Sequence, residues 1–480
     1  MATFEKNQPI PVDADELYRW HARPGAFERL VPPWQDIDVL HHTGGIQNGA
    51  RRIMRVHQGP ISLIWEARHR GHLPGEQFVD EQTRGPFAKW VHTHRFEQRS
   101  PGHSWLVDHV DYQLPLGILG ALFGGSMARA TLERMFAFRH RRTAEDLQRH
   151  AGTKRRLRVA ISGASGLIGS ALSAFLRTGG HRVIPLVRTM EDVSEDAVYW
   201  SPSTNQIDAS RLEGLDAVVH LAGESLDGRW TPKKRRAIER SRVNGTRLLA
   251  QTLAELRDPP EVFATASGVG WYGDTGDSVV DESGSPGRNF LAHICRQWEA
   301  STEAAENAGI RTLKLRLGVV LDPAGGALPK MLPAVRYGLA SRLGSGDQFT
   351  SWIDLDDAIA AILFLVTRST MKGPVNLTAP RPVTNAELFK NLAELLGRPS
   401  LIPVPAWAIK LAIGRQMAEE TALISQRVVP TRLQEAGFRF YYPDLRESLR
   451  TKLGIPSTAP CARRPMSVAR LIRNGVHGPL

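Results

Sequence analysis

Cysteine is scarce: Cys295 and Cys461 are the two in 480 residues, which excludes a disulfide framework and a cysteine-built metal site and fits a reducing compartment. Long apolar runs are missing as well. No stretch approaches the roughly 18 uninterrupted apolar residues that a membrane span needs, and the opening Met1-Ala2-Thr3-Phe4-Glu5-Lys6 has no apolar signal core. The expected address is the cytoplasm. Positive charge is plentiful, with a formal net of +12, but it is not gathered into an aromatic-interleaved stripe. It is spread over the N-terminal third, Lys154-Arg155-Arg156, Lys233-Lys234-Arg235-Arg236 and the C-terminal end. That scatter argues against nucleic acid as a partner and leaves a membrane surface or acidic small molecules as targets of the field.

What is present is the composition of a folded chain, 42% hydrophobic and 23% charged, long enough for about three cores at roughly 100–200 residues each. Residues 1–150 hold short strand candidates, among them Arg52–Val56 and Trp105–Tyr112, between Gly/Pro turns, and read as antiparallel sheet. Ser126 to Leu147 carries Leu132, Met135, Phe136 and Phe138 at helical spacing and is expected to close that unit as one long helix. A polar, basic stretch at 151–156 marks the clearest boundary. From Leu157 the apolar runs 157–162, 182–187, 217–222 and 262–267 alternate with helical stretches at 167–178 and 230–256. This is the sequence form of βαβ units, so residues 155–375 are expected to be a Rossmann-type, doubly wound α/β sheet. Residues 376–455 read as a small, mostly helical unit, with 385–396 and 406–424 its best helices, and the tail from 456 as disordered. No internal repeat is visible.

The strongest local signal is the strand Leu157–Ser162 running into Gly163-Ala164-Ser165-Gly166-Leu167-Ile168-Gly169, where a helix opens. Gly163 supplies the tight turn, Gly166 lets the backbone approach a pyrophosphate, and Gly169 allows helix and strand to pack closely. Ser165, Leu167 and Ile168 complete the mouth, whose free N–H groups face an anion. Three glycines also make a plain tight connection; the strand before, the amphipathic helix after and the second strand at 182–187 favour a nucleotide. At the end of that second strand stands Arg188, where an NAD-preferring site places an acid against the ribose hydroxyl. A guanidinium there suits a 2′-phosphate, so the expected cofactor is NADP. The other reading is an arginine merely solvated at a strand end.

Asp216-Ala217-Val218-Val219-His220-Leu221-Ala222-Gly223 resembles the fourth strand and turn of extended short-chain dehydrogenase/reductases. The resemblance implies that His220, Leu221, Ala222 and Gly223 line the cofactor. It narrows through Trp230-Thr231, Ser241-Arg242-Val243, Gly245-Thr246, the run Ser267 to Asp274, Phe290-Leu291-Ala292, Trp298-Glu299, Arg316 to Leu321, Gly325 to Met331, and Ser351-Trp352-Ile353-Asp354. These motifs resemble an epimerase-like family sometimes labelled cell-division inhibitors. Gln426-Arg427-Val428-Val429-Pro430 and Gly437-Phe438 resemble its small terminal domain of unknown function (DUF1731-like). Where that family usually has histidine after Trp-Ile, this chain has Asp354. Active extended reductases and epimerases carry Tyr-x-x-x-Lys about 25 residues after the catalytic serine, the lysine lowering the tyrosine pKa. From Ser267 that count reaches Phe290 to Cys295, which holds neither residue.

The remaining acid–base candidates are Ser267, Tyr272, His293 and Glu282. Ser267 and Tyr272 are read as substrate-contacting, possible catalytic groups, or else as residues that satisfy the strand-loop backbone; Tyr272 without a lysine stays a protonated phenol. Arg316 at a strand end reads either as a substrate-anion contact or as half of a buried ion pair. Lys233–Arg236 reads as a solvated helix face rather than a phosphate contact.

In the N-terminal third, Trp20, Arg23 to Phe27, Leu30 to Trp34, Gly85-Pro86-Phe87, Trp90, His92, His94, Phe96 and Phe138-Arg139-His140 resemble a helix-grip domain of the START/polyketide-cyclase (SRPBCC) type. Such a domain wraps a curved sheet around a long helix and an apolar cavity, which implies capture of a hydrophobic small molecule. His92 and His94 face one side of a strand; with no third ligand evident nearby they read as a polar, cavity-lining pair and not as a metal site. Three functions follow: an NADP-dependent oxidoreductase or epimerase-like enzyme on an unidentified small molecule, a silent NADP(H)-binding regulator related to cell division, or a hydrophobic-ligand carrier. A homodimer is compatible with each.

Overall fold

The computed structural model of the chain describes residues 1–456 other than 60, 116, 154, 340 and 368–369. The tail read above as disordered lies outside the described residues, apart from Pro456. Strand β1 (Ala2–Ile10) leads into two short helices, α1 (Ala14–Ala22) and α2 (Ala26–Leu30). Then come β2 (Asp36–Thr43), β3 (Arg51–Gln58), β4 (Ile61–Leu73), β5 (Gln77–Arg84), β6 (Lys89–Ser100) and β7 (His103–Gln113). The seven described strands form an antiparallel sheet in the order β1-β7-β6-β5-β4-β3-β2. Period-two alternation decides its inner face: Trp90, His92, His94 and Phe96 of β6 are buried, as are Leu106, Asp108, Val110 and Tyr112 of β7. The closing helix, α3 (Gly117–Ala151), is longer at both ends than the sequence periodicity suggests. Its Leu132 and Phe136 pack on Phe4, Trp90 and Val110.

A second sheet follows from β8 (Arg158–Ser162), α4 (Leu167–Thr178), β9 (Arg182–Val187), β10 (Val198–Ser201), β11 (Gln206–Ile207), β12 (Ala217–His220), α5 (Pro232–Ala254), β13 (Val262–Gly268), α6 (Phe290–Ala300), α7 (Glu303–Asn307) and β14 (Arg311–Leu317). Beyond it run β15 (Val319–Asp322), β16 (Gly325–Gly326), α8 (Leu328–Arg336), β17 (Phe349–Thr350), β18 (Trp352–Asp354), α9 (Leu355–Thr367), β19 (Gly373–Leu377) and β20 (Val383–Thr384). The large sheet has the order β11-β10-β9-β8-β12-β13-β14-β19. All its pairs are parallel except β10 with β11. Strand order reverses between β8 and β12, which opens a crevice at their carboxyl ends. Val159, Ile161 and Val219 face α4 and α9, while Ala160, Val218 and Phe263 face α5.

The C-terminal part contributes α10 (Asn385–Leu395), α11 (Ala406–Ile413), α12 (Arg415–Met417), α13 (Thr431–Glu435) and α14 (Leu445–Lys452). The single helix expected over 406–424 is broken: Gly414 sits at φ 93°, a left-handed backbone that an α-helix cannot continue through.

Buried charge ties these parts together. Arg29 of α2 bonds Asp146 of α3 at 2.6 Å and Asp356 of α9 at 3.0 Å, and Arg142 of α3 also pairs with Asp356. Lys452, at the end of α14, places its ammonium 2.8 Å from Asp356, 3.2 Å from Asp354 and 3.0 Å from Asp322. Asp354, where the resembling family usually has histidine, therefore answers a lysine and takes a hydrogen bond from Ser448.

Candidate functional site

The crevice is bounded by the loop after β8 and the turn after β12. Gly163 adopts φ 70° and closes against the backbone of Leu221 and Ala222, where an added Cβ would stand 2.9 Å from the Ala222 nitrogen. A Cβ on Gly169 would collide with the Gly163 carbonyl. Gly166 caps α4, and the first amide to close an intrahelical bond is that of Ser170, to the Gly166 carbonyl. The amides of Leu167 and Ile168 have no hydrogen-bond partner among the described residues. Ser165 and Gly166 are exposed and Leu167 and Ile168 half-buried, so the mouth is open to an anion. Arg188, just past β9, is exposed and makes no ion pair or hydrogen bond with the described residues.

On the β12 side, Leu221 and Ala222 are half-buried and Gly223 is exposed, and the Ser162 hydroxyl accepts the amides of Leu221 and Ala222 at 3.2 and 3.3 Å. His220 differs from the expectation for its side chain. It is fully buried beneath the strand end, bonded through Nδ1 to Ser162 and edge-on to Trp200. Burial, with the nearby charge of Arg242, pushes its pKa down to about 3. Only its backbone is near the crevice.

Ser267 and Tyr272 come together, but with their polar atoms already engaged. Ser267 donates to Glu299 Oε1 at 2.7 Å. Arg316 grips the same carboxylate through Nε at 2.9 Å and Nη2 at 3.0 Å, and donates from Nη1 to the Tyr272 hydroxyl at 3.0 Å. Tyr272 in turn donates to Asn376 Oδ1 at 2.7 Å, and burial pushes its pKa up to about 12. Arg316 is 3% exposed and stacked 3.9 Å over Trp271. Of its two sequence readings, this geometry is that of the buried ion pair: Nε and Nη2 grip Glu299, and Nη1 also donates to the Glu282 carbonyl at 3.3 Å. Glu282 is buried too, accepting the backbone amides of Asn376 at 2.9 Å and Arg432 at 3.3 Å. His293 lies on the exposed side of α6, away from this network. Lys234 pairs with Glu224 and Arg235 with Gln416, while Lys233 and Arg236 are exposed, the arrangement of a solvated helix face.

Sequence reasoning passed over Glu299 and Asn376, which organise this network. Trp298-Glu299 stands among the resembling motifs, but nothing local gives Glu299 a partner: it lies on an amphipathic helix, 17 positions from the arginine it binds. The motif residues 426–430 do have a visible task. Gln426 donates to the carbonyls of Val269 and Gly273, and the Val429 carbonyl accepts from Asn376, so the terminal unit clamps the Tyr272 loop.

In the first sheet, the statement that His92 and His94 lack a third partner is overturned. Asp80 of β5 and Asp108 of β7 flank both rings, and His140 of α3 bonds Asp108. These groups stand on four elements, so no spacing in the chain announces them. The inner face of this sheet is polar at its centre, where the resemblance implied an apolar cavity.

Three family models match the chain: "Polyketide cyclase / dehydrase and lipid transport" over residues 10–136, "NAD dependent epimerase/dehydratase family" over 159–377, and a domain of unknown function (DUF1731) over 404–451. An epimerase family protein of Mycobacterium bovis is 41% identical over 303 residues, covering 63% of this chain and 98% of the relative. The structure of a nucleoside-diphosphate sugar epimerase from Corynebacterium glutamicum is 32% identical with a TM-score of 0.77, covering 94% of this chain and 90% of that one. Human epimerase family protein SDR39U1, in a structure with NADPH, is 29% identical with a TM-score of 0.58, covering 62% of this chain and 100% of that one. Among the described residues no helix is long and apolar enough to cross a membrane. The crevice at the β8/β12 reversal, its glycine turn and these likenesses agree: the chain belongs to the epimerase family of extended short-chain dehydrogenase/reductases, with a polyketide-cyclase-type unit before the nucleotide fold and a DUF1731 unit after it.

Proposed function

We propose that the chain binds NADP(H) in the β8/β12 crevice and acts as an oxidoreductase or epimerase-like enzyme on a small molecule. The observation that carries this reading is the open helix mouth: unpaired amides at Leu167 and Ile168, a glycine at each point where a Cβ would intrude, and the free guanidinium of Arg188 one strand away. The NADPH in the human relative's structure supports it. Gly163 to Gly169 would hold the diphosphate, Arg188 the 2′-phosphate, and Leu221 to Gly223 the far side of the crevice. The cofactor, when bound, supplies hydride transfer. The N-terminal unit would capture or present the small molecule.

A second reading has its own observation. Ser267, Tyr272 and Arg316 spend their polar atoms on one another and on Glu299 and Asn376, and Tyr272 has no lysine to lower its pKa. That favours a cofactor-binding regulator without turnover. Fluorescence titration decides the first step. NADPH binds more tightly than NADH, and Arg188→Ala weakens NADPH by roughly 10- to 100-fold, the worth of about 1.5–3 kcal/mol for a charged hydrogen bond, with NADH unchanged. No binding, or a preference for NADH, refutes the assignment. Bound NADPH followed by absorbance against a panel of carbonyl compounds, with Tyr272→Phe as control, then separates enzyme from regulator.

A further inference from the structure

The interior of the first sheet holds a constellation that the nucleotide site does not use. His92 is 1% exposed, His94 7%, Asp108 2% and His140 0%. Asp80 Oδ2 lies 3.1 Å from His92 Nδ1 and 3.4 Å from His94 Nε2. One ligand atom from each of Asp80, His92 and His94 falls within 4.8 Å of the other two. Donor atoms around a tetrahedral zinc ion, with bonds of roughly 2.0–2.1 Å, are separated by about 3.3 Å. The two Asp80 separations bracket that value.

Proton accounting points the same way. His92 Nε2 lies 2.9 Å and His94 Nδ1 2.7 Å from Asp108 Oδ1, so four ring nitrogens face carboxylate oxygens. Two neutral imidazoles carry two N–H groups between them, which leaves two nitrogen lone pairs against oxygen lone pairs. Charging one ring still leaves one lone pair against a carboxylate oxygen, and charging both would stack two cations with centroids 3.8 Å apart. His94 Nδ1, moreover, is buried without an aligned hydrogen-bond partner.

We propose that Asp80, His92 and His94 bind a divalent transition-metal ion of the zinc class, with Asp108 and His140 as its outer support. The ion takes the lone pairs of His92 Nδ1 and His94 Nε2, and the two N–H groups then face Asp108. A carboxylate behind a metal-bound imidazole fixes its tautomer and raises its basicity, and His140 holds that carboxylate in place. Two imidazoles and one carboxylate are a donor set that zinc accepts. Three protein ligands leave a fourth position for water or an oxygen donor of a bound ligand, on the side where the Asp80 side chain is 21% exposed.

The test uses the full-length protein. Chelator-treated chain is titrated with cobalt(II), followed by visible absorbance, and its metal content is measured by elemental analysis after dialysis against zinc. Expected are one tetrahedral cobalt per chain and a rise in melting temperature with zinc. His94→Ala and Asp80→Asn lose the cobalt spectrum while keeping the far-ultraviolet circular dichroism of the parent. His57→Ala, at the exposed Asp36/Asp38/His57 group, keeps it. If the two ligand variants do not fold, the unsubstituted chain decides by its stoichiometry and zinc-dependent melting. A parent chain that takes up no metal, or variants that bind cobalt as well as the parent, would overturn the proposal.

Discussion

Replacing Lys452 by methionine is the sharpest test of how the parts of this chain are held together. Its ammonium is 1% exposed and lies within 3.2 Å of Asp322, Asp354 and Asp356. Asp356 keeps Arg29 and Arg142 when the lysine is gone, but Asp322 and Asp354 lose their cation. Removing one partner of a buried pair costs about 3–5 kcal/mol, and with two carboxylates stranded the upper half of that range is expected. For a cooperative unit of roughly 150–250 residues each kcal/mol is about 2–4 °C, so melting should fall by roughly 8–20 °C. Burial already raises the Asp354 pKa, with Lys452 opposing and Asp356 adding to the rise. Without the lysine it rises further. A carboxyl whose folded pKa exceeds its unfolded one favours the fold at low pH and loses that advantage as pH climbs through the folded value. The K452M deficit should therefore shrink toward pH 5 and grow toward pH 8, and adding Asp354→Asn should recover part of it. Calorimetry at the two pH values is the assay. A pH-independent loss under about 1 kcal/mol would refute the buried-charge account.

Arg316→Gln should lower stability by about 3–5 kcal/mol, since Glu299 is left buried and unpaired; a variant that melts like the parent yet loses ligand binding would return Arg316 to a substrate role. His150 and His220 are both pushed by burial to about 3. Both stay neutral in the fold and gain a proton on unfolding below about 6.5, so their contribution is full above that pH and falls by up to about 1.4 kcal/mol per unit for each as pH drops toward 4. Thermal melts across pH 7.5 to 4.5 check this, and His220→Asn should flatten the curve; an unchanged slope would show that His220 is not the source.

Much was legible in the chain itself. The strand at 182–187 and the helix at 167–178 stand where the periodicity put them, and Gly163 takes the positive φ that its place in the turn demanded. These features are local: period, glycine and cap act within a few residues, so the chain declares them directly. The break at Gly414 is not legible in the same way, because an isolated glycine within a helical pattern is tolerated at a cost of about 1 kcal/mol and does not by itself mark an end.

Alternation along a strand and the order of glycines, both readable from residues alone, determined the nucleotide fold and where its crevice opens. Only the tertiary structure decided what the chemistry-bearing side chains meet. Arg316 finds Glu299, Asp354 finds Lys452, and His92 and His94 find Asp80 and Asp108. A buried polar group must be satisfied from whatever element packs against it. That partner is chosen by packing across the fold, and distance along the chain carries no trace of it.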